Sequence, residues 1–200
     1  SCSAEAFESD ASLRRDKSAI DIICGKECRV KSATRSPERG GVFPCQMRRA
    51  ITDAVANGCN IIISGSYIAT DPTSGIYPLC SHNDIEEQKS FINNTLGYSL
   101  RRSYASFSGK VHTLDGSAVP SGFPTSPVRD SYCVESPDAL YSFNMGSTIY
   151  MTYLDTSLPA AVRVSFPNYK VAAFGFPLEI LDGEKSRDQI FAATLSFFNK

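Results

Sequence analysis

The chain has 200 residues, 42% of them hydrophobic and 20% charged, enough apolar material for a full core in one domain. Twenty basic residues stand against 21 acidic ones and the formal net charge is -1, with both signs interspersed, which argues against a basic nucleic-acid face and against an acidic solvating tail. No apolar run approaches the roughly 18 residues needed to span a bilayer, and the start, Ser1-Cys2-Ser3-Ala4-Glu5, has no basic region followed by an apolar one.

The first predicted element is the β-branched run Ala19 to Cys24, a short strand that stops at Gly25. Residues 31–41 are polar, contain Pro37, Gly40 and Gly41, and read as a loop. From Gln46 to Asn57, Met47, Ile51 and Val55 recur every four residues with Ala50 and Ala54 beside them, the stripe of a helix packed on a sheet. Gly58 supplies the left-handed helix stop, Ile61-Ile62-Ile63 suits a strand covered on both faces, and Ser64-Gly65-Ser66-Tyr67 makes a tight polar turn. Strand, loop, helix and strand form one βαβ unit.

A second helix is predicted from about Asp84 to Leu96, with Asn83 and Glu86 at capping-box spacing, Gly97 as its stop, and Ile85, Ile92 and Leu96 inward. Between about residues 98 and 166 the pattern changes to short alternating runs, Tyr104 to Leu114, Thr148 to Leu154 and Ala160 to Phe166. These read as an antiparallel β insertion laid over or beside the parallel core. Lys170 to Phe174 is a third buried strand, turning at Gly175-Phe176-Pro177, and Ser186 with Gln189 opens a last helix with Ile190, Ala193 and Phe197 inward.

The expected fold is therefore a single α/β domain over 1–200, an open, mostly parallel sheet flanked by helices. Three parallel strands are few for a doubly wound sheet, which ordinarily has about five or more, so the domain is expected to be N-terminally incomplete. The carboxyl ends of the three strands should converge, bringing Lys26 and Glu27 together with Ser64, Ser66, Tyr67, Asp71 and Glu179. Such a crevice of a cation, hydroxyls and carboxylates suits a polar ligand, although loop charges and small turn serines would look the same in sequence.

Catalysis by Ser66 lacks its usual surroundings. The serine-hydrolase elbow is Gly-x-Ser-x-Gly, whereas Ser64 and Ile68 flank Ser66 here. Only two histidines exist: His82 precedes the second helix in a polar loop, His112 alternates within a predicted strand, and neither follows the last parallel strand. Seven cysteines are scattered and odd in number, and Cys24 and Cys28 have no matching second pair, so neither a zinc site nor any other metal or cofactor is expected. Cys24 lies beside Lys26, which would lower a thiol pKa, but a partner base is missing. Tyr98, Tyr104, Tyr132, Tyr141, Tyr150 and Tyr153 gather in the insertion, where half-buried sheet positions are favoured over a sugar platform because the chain has no Trp.

Three segments together resemble a known family: Ile20 to Glu27, Asn60 to Asp71, and Val171 to Glu179. They are similar to a domain of secreted Bacteroidetes proteins labelled xanthan lyase, which has the class I glutamine amidotransferase-like fold, a relative of the flavodoxin-like sheet. The resemblance implies an extracytoplasmic protein, other domains in the same polypeptide, a first core strand ahead of Ser1, and carbohydrate as a partner. In active amidotransferases a cysteine occupies the nucleophile turn and a His-Pro-Glu segment follows a late strand. Here Ser66 lies near the first position, and Phe176-Pro177-Leu178-Glu179 replaces the second without a histidine. These departures favour a non-catalytic scaffold or ligand-binding domain in polysaccharide or cell-envelope processing. The alternative is a hydrolase or lyase acting on a polar or glycan substrate through Ser66 and Glu179, with Lys26 and Tyr67 beside them.

Overall fold

The computed structural model describes the backbone of residues 20–24, and residues 43, 45–69, 84–126, 133–134 and 136–200. Nine strands and three helical segments lie among them in the order β1 (Ile20–Cys24), α1 (Cys45–Ala56), β2 (Asn60–Ser64), α2 (Asp84–Ser90), β3 (Tyr98–Arg102), β4 (Lys110–Thr113), β5 (Ser121–Gly122), β6 (Ala139–Ser142), β7 (Ser147–Tyr153), β8 (Pro159–Ser165), β9 (Lys170–Phe174) and α3 (Glu184–Phe198). A wider helical turn, Phe91–Leu96, continues α2, and a short tight turn, Leu178–Ile180, follows β9.

The predicted βαβ unit is present. Helix α1 ends where Gly58 takes φ +84°, with the Cys59 amide donating to Ala54 and the Gly58 amide to Val55. These two bonds satisfy carbonyls that the last turn would otherwise leave open. Strand β2 runs parallel to β1 on one side and to β9 on the other. Its three isoleucines alternate between two cores: Ile61 and Ile63 join Met47, Ile51 and Val55 of α1, while Ile62 joins Phe174, Phe176 and Ile190. Each isoleucine is essentially fully buried, a gain of about 1.5–3 kcal/mol per side chain over exposure.

The large sheet has the order β1-β2-β9-β8-β7-β4-β5. Among the described residues two pairings are parallel and four antiparallel, which overturns the expected open, mostly parallel, flavodoxin-like sheet. Strand β8 is responsible. It leaves a hairpin with β7, pairs antiparallel with β9, and is joined to it by a short turn in which the Phe166 amide donates to Tyr169. A connection that short permits only an antiparallel neighbour. The stretch expected as an insertion beside the core thus supplies four strands of the central sheet, while β3 and β6 form a separate two-stranded ribbon.

Smaller departures have local causes. Of the run Tyr104 to Leu114 only Lys110–Thr113 is strand, because the preceding loop is pinned elsewhere: Asp155 accepts from the Ser106 hydroxyl and from the amides of Phe107 and Ser108. Helix α3 begins at Glu184, two residues earlier than expected, and Ser186 is buried rather than capping. Its inward stripe is Ser186, Ile190, Thr194 and Phe198, with Ala193 and Phe197 on the flank. Thr194 can face the core because its hydroxyl bonds the Ile190 carbonyl within the helix at 2.8 Å.

Candidate functional site

The carboxyl ends of β2 and β9 lie side by side, since Ser64 is in register with Phe174 and the Gly65 amide donates to the Phe174 carbonyl at 3.2 Å. Cys24 is in register with Ser64, so β1 ends at the same edge. Lys26, Glu27, Asp71 and His82 lie outside the described residues. The remaining candidates, Ser64, Ser66, Tyr67 and Glu179, follow the ends of two adjacent strands but occupy different surroundings.

Ser64 and Ser66 are fully buried, Tyr67 is half-buried, and Glu179 is exposed in the turn after β9. Gly65 takes φ +154° and Tyr67 φ +63°. A left-handed tyrosine is uncommon and indicates a backbone held by its surroundings. Between these two residues the Ser66 Oγ is buried and makes no hydrogen bond among the described residues. An unsatisfied buried hydroxyl costs about 1–3 kcal/mol.

What holds the turn is a residue that sequence reasoning missed. Asp138, fully buried at the entrance to β6, accepts the Ala69 amide on Oδ2 at 3.0 Å. Its own amide donates to the Gly175 carbonyl at 2.8 Å, and its carbonyl accepts the Tyr153 hydroxyl at 2.8 Å. The segment lies so close to β9 that a Cβ on Gly175 would collide with the Asp138 carbonyl oxygen. The Tyr98 hydroxyl completes the frame by donating to the Ile68 carbonyl at 3.2 Å. Burial first, and then the Asp138 carboxylate, push the Tyr98 and Tyr153 phenols well above their ordinary value. Both therefore remain protonated donors at neutral pH. The sequence signal was slight: a lone acid after Pro137, just before the apolar Ala139-Leu140.

The described histidine cannot serve Ser66. His112 is on β4, four strand steps from β2 in the sheet, or about 19 Å at ~4.8 Å per step, and its ring lies 3.4 Å from the Thr152 hydroxyl. Phe176, in the turn after β9, is core: it stacks on Phe123 at 5.0 Å between centroids and meets Tyr153 and Phe174 edge-on. Among the described residues no group of three or more His, Cys, Asp or Glu is placed to hold a metal ion. Cys59 and Cys133 are buried, and no described helix is long and apolar enough to cross a membrane.

No family model matches the chain, and no curated protein does. Several solved structures are similar to it, a mannosidase and a Salmonella protein among them. The exo-beta-1,4-mannosidase Op5Man5 from Opitutaceae bacterium strain TAV5 is 15% identical over 78% of this chain and 22% of its own, with a TM-score of 0.43. The cytoplasmic protein STM3548 from Salmonella typhimurium is 14% identical over 98% of this chain and 78% of its own, with a TM-score of 0.47. The chain spans about a fifth of the mannosidase and most of the Salmonella protein. Neither likeness bears on activity.

Proposed function

We propose that this is a non-catalytic scaffold domain, with a residual polar binding turn at Ser64 to Tyr67, in an exported protein that processes polysaccharide or cell-envelope material. The observation that carries it is the state of Ser66: its hydroxyl is buried and has no hydrogen-bond partner among the described residues, so no described base is in position to take its proton. Further support comes from Asp138, whose carboxylate bonds the Ala69 amide and so holds the turn from behind. The exported, polysaccharide-related setting rests on the resemblance of the three strand-end segments to the secreted Bacteroidetes domain.

One observation favours the enzymatic alternative. Tyr67 keeps a left-handed backbone beside Ser66, and such strain is concentrated at working sites. The two are separated by incubating the chain with xanthan and, separately, with glutamine, following unsaturated uronate by its ultraviolet absorbance and ammonia by coupled assay. A scaffold gives neither product. Release of either product that disappears in Ser66→Ala would establish the enzyme.

A further inference from the structure

The outer face of β6 and of the turn that follows it carries exposed aromatic and apolar side chains. Tyr98 is in register with Ser142 and Leu100 with Leu140, and Tyr98, Leu100 and Leu140 pack toward the core. Ser99 and its partner Tyr141 therefore face outward. Continuing from β6 at alternate positions, Tyr141 is 53% exposed, Phe143 51% and Met145 fully exposed, with Ile149 of β7 exposed beyond them. An outward strand face is ordinarily polar. Apolar side chains grouped on β6 and its following turn, rather than scattered, mark a contact surface.

The β3–β6 ribbon also offers an open edge. β3 pairs with β6, and no described strand lies on its other side. Its end carries Arg101 and Arg102, both exposed, with no acidic partner among the described residues. Charges at an edge ordinarily guard against pairing, and here they guard selectively. A second copy added in parallel would bring four guanidinium groups together, whereas an acidic strand would neutralise them. The aromatic rings remain reachable from that edge because the residues opposite them are small: Ser99 is in register with Tyr141, and the Gly97 carbonyl accepts the Phe143 amide.

We propose that this ribbon docks an extended acidic segment of a partner protein, added as a strand beside β3. Main-chain hydrogen bonds along β3 would provide the binding, Tyr141 and Phe143 would seat alternate apolar side chains, and Arg101 and Arg102 would pair with the acidic ones. The surface gives the scaffold a partner without depending on the Ser66 turn.

The test uses a labelled seven-residue peptide of alternating glutamate and leucine, followed by fluorescence anisotropy. Saturable binding is expected, weakening as salt is raised. It should fall by about tenfold or more in Phe143→Ser and in the double variant Arg101→Glu with Arg102→Glu. Because these side chains are exposed, the thermal midpoint should hardly change. The matching lysine–leucine peptide should bind the charge-reversed variant and not the original chain. No binding, or equal binding of both peptides, overturns the proposal. So does a dimer in sedimentation that Phe143→Ser abolishes, which makes a second copy the occupant. Retardation by oligogalacturonate without peptide binding would make the occupant a glycan, and would overturn it equally.

Discussion

The Asp138 carboxylate and the Ala69 amide are 69 residues apart in sequence and 3.0 Å apart in space. This bond ties the turn after β2 to the entrance of β6, and the Asp138 backbone extends the tie to β9 through Gly175. Three separate segments are thereby held at one edge of the sheet. Among the described residues, the turn that carries Ser66 is fixed by backbone geometry and by one buried acid.

Gly175 is expected to be required for space. It has no left-handed φ, yet any Cβ there would strike the Asp138 carbonyl. Gly116 is the reverse case, with φ +66° and open space around it. Gly175→Ala should cost about 3 kcal/mol or more by overpacking a backbone that cannot retreat, and Gly116→Ala about 1–2 kcal/mol from its left-handed backbone alone. Urea midpoints at constant slope measure both. Equal losses would show that the Asp138 segment yields.

Ser66→Ala should be neutral to stability or raise it by up to about 1 kcal/mol, since the buried Oγ has no hydrogen-bond partner to lose among the described residues. A buried hydroxyl that is working loses stability on removal. Thermal unfolding of the two chains side by side decides it, and a loss above about 1 kcal/mol would mean that Ser66 has a partner in solution.

Asp155 should contribute to acid sensitivity. Burial raises its carboxyl, but the amides of Ser108 and Phe107 and the Ser106 hydroxyl outweigh that and hold it below the ordinary value of 3.8. A depressed folded-state pKa gives stability that is fully present above the unfolded value and is lost as pH falls from there through the folded one. Asp155→Asn should be less stable at pH 7 by up to about 1 kcal/mol, because hydrogen bonds to a charged group are weakened while solvent screens this exposed site. Below pH 3 the gap between the two chains should narrow. A constant gap across a pH series of urea melts would place the acid sensitivity elsewhere.

Local pattern made much of the fold legible. The four-residue spacing of Met47, Ile51 and Val55 located α1, Gly58 and Gly97 marked helix ends, and the unbroken Ile61-Ile62-Ile63 announced a strand buried on both faces. Each signal depends on neighbours a few residues away, which a sequence displays directly. The run at the third strand, Lys170 to Phe174, was equally plain because its turn residues lie beside it. The partner of that strand was not plain. Val171, Ala172 and Ala173 suit a parallel or an antiparallel neighbour alike, and the short turn at 166–169 settled the matter for β8.

By itself, then, the sequence determined the helices, the strands β1, β2, β7, β8 and β9, and the edge of the sheet that Ser66 and Glu179 follow. Only tertiary structure decided that the sheet is mixed, that Ser66 is sealed while Glu179 is exposed, and that Asp138 rather than a histidine holds the turn. Helix and strand periods arise from contacts within one segment, whereas strand direction, burial and a hydrogen bond across 69 residues arise when distant segments meet, and no local pattern records that encounter.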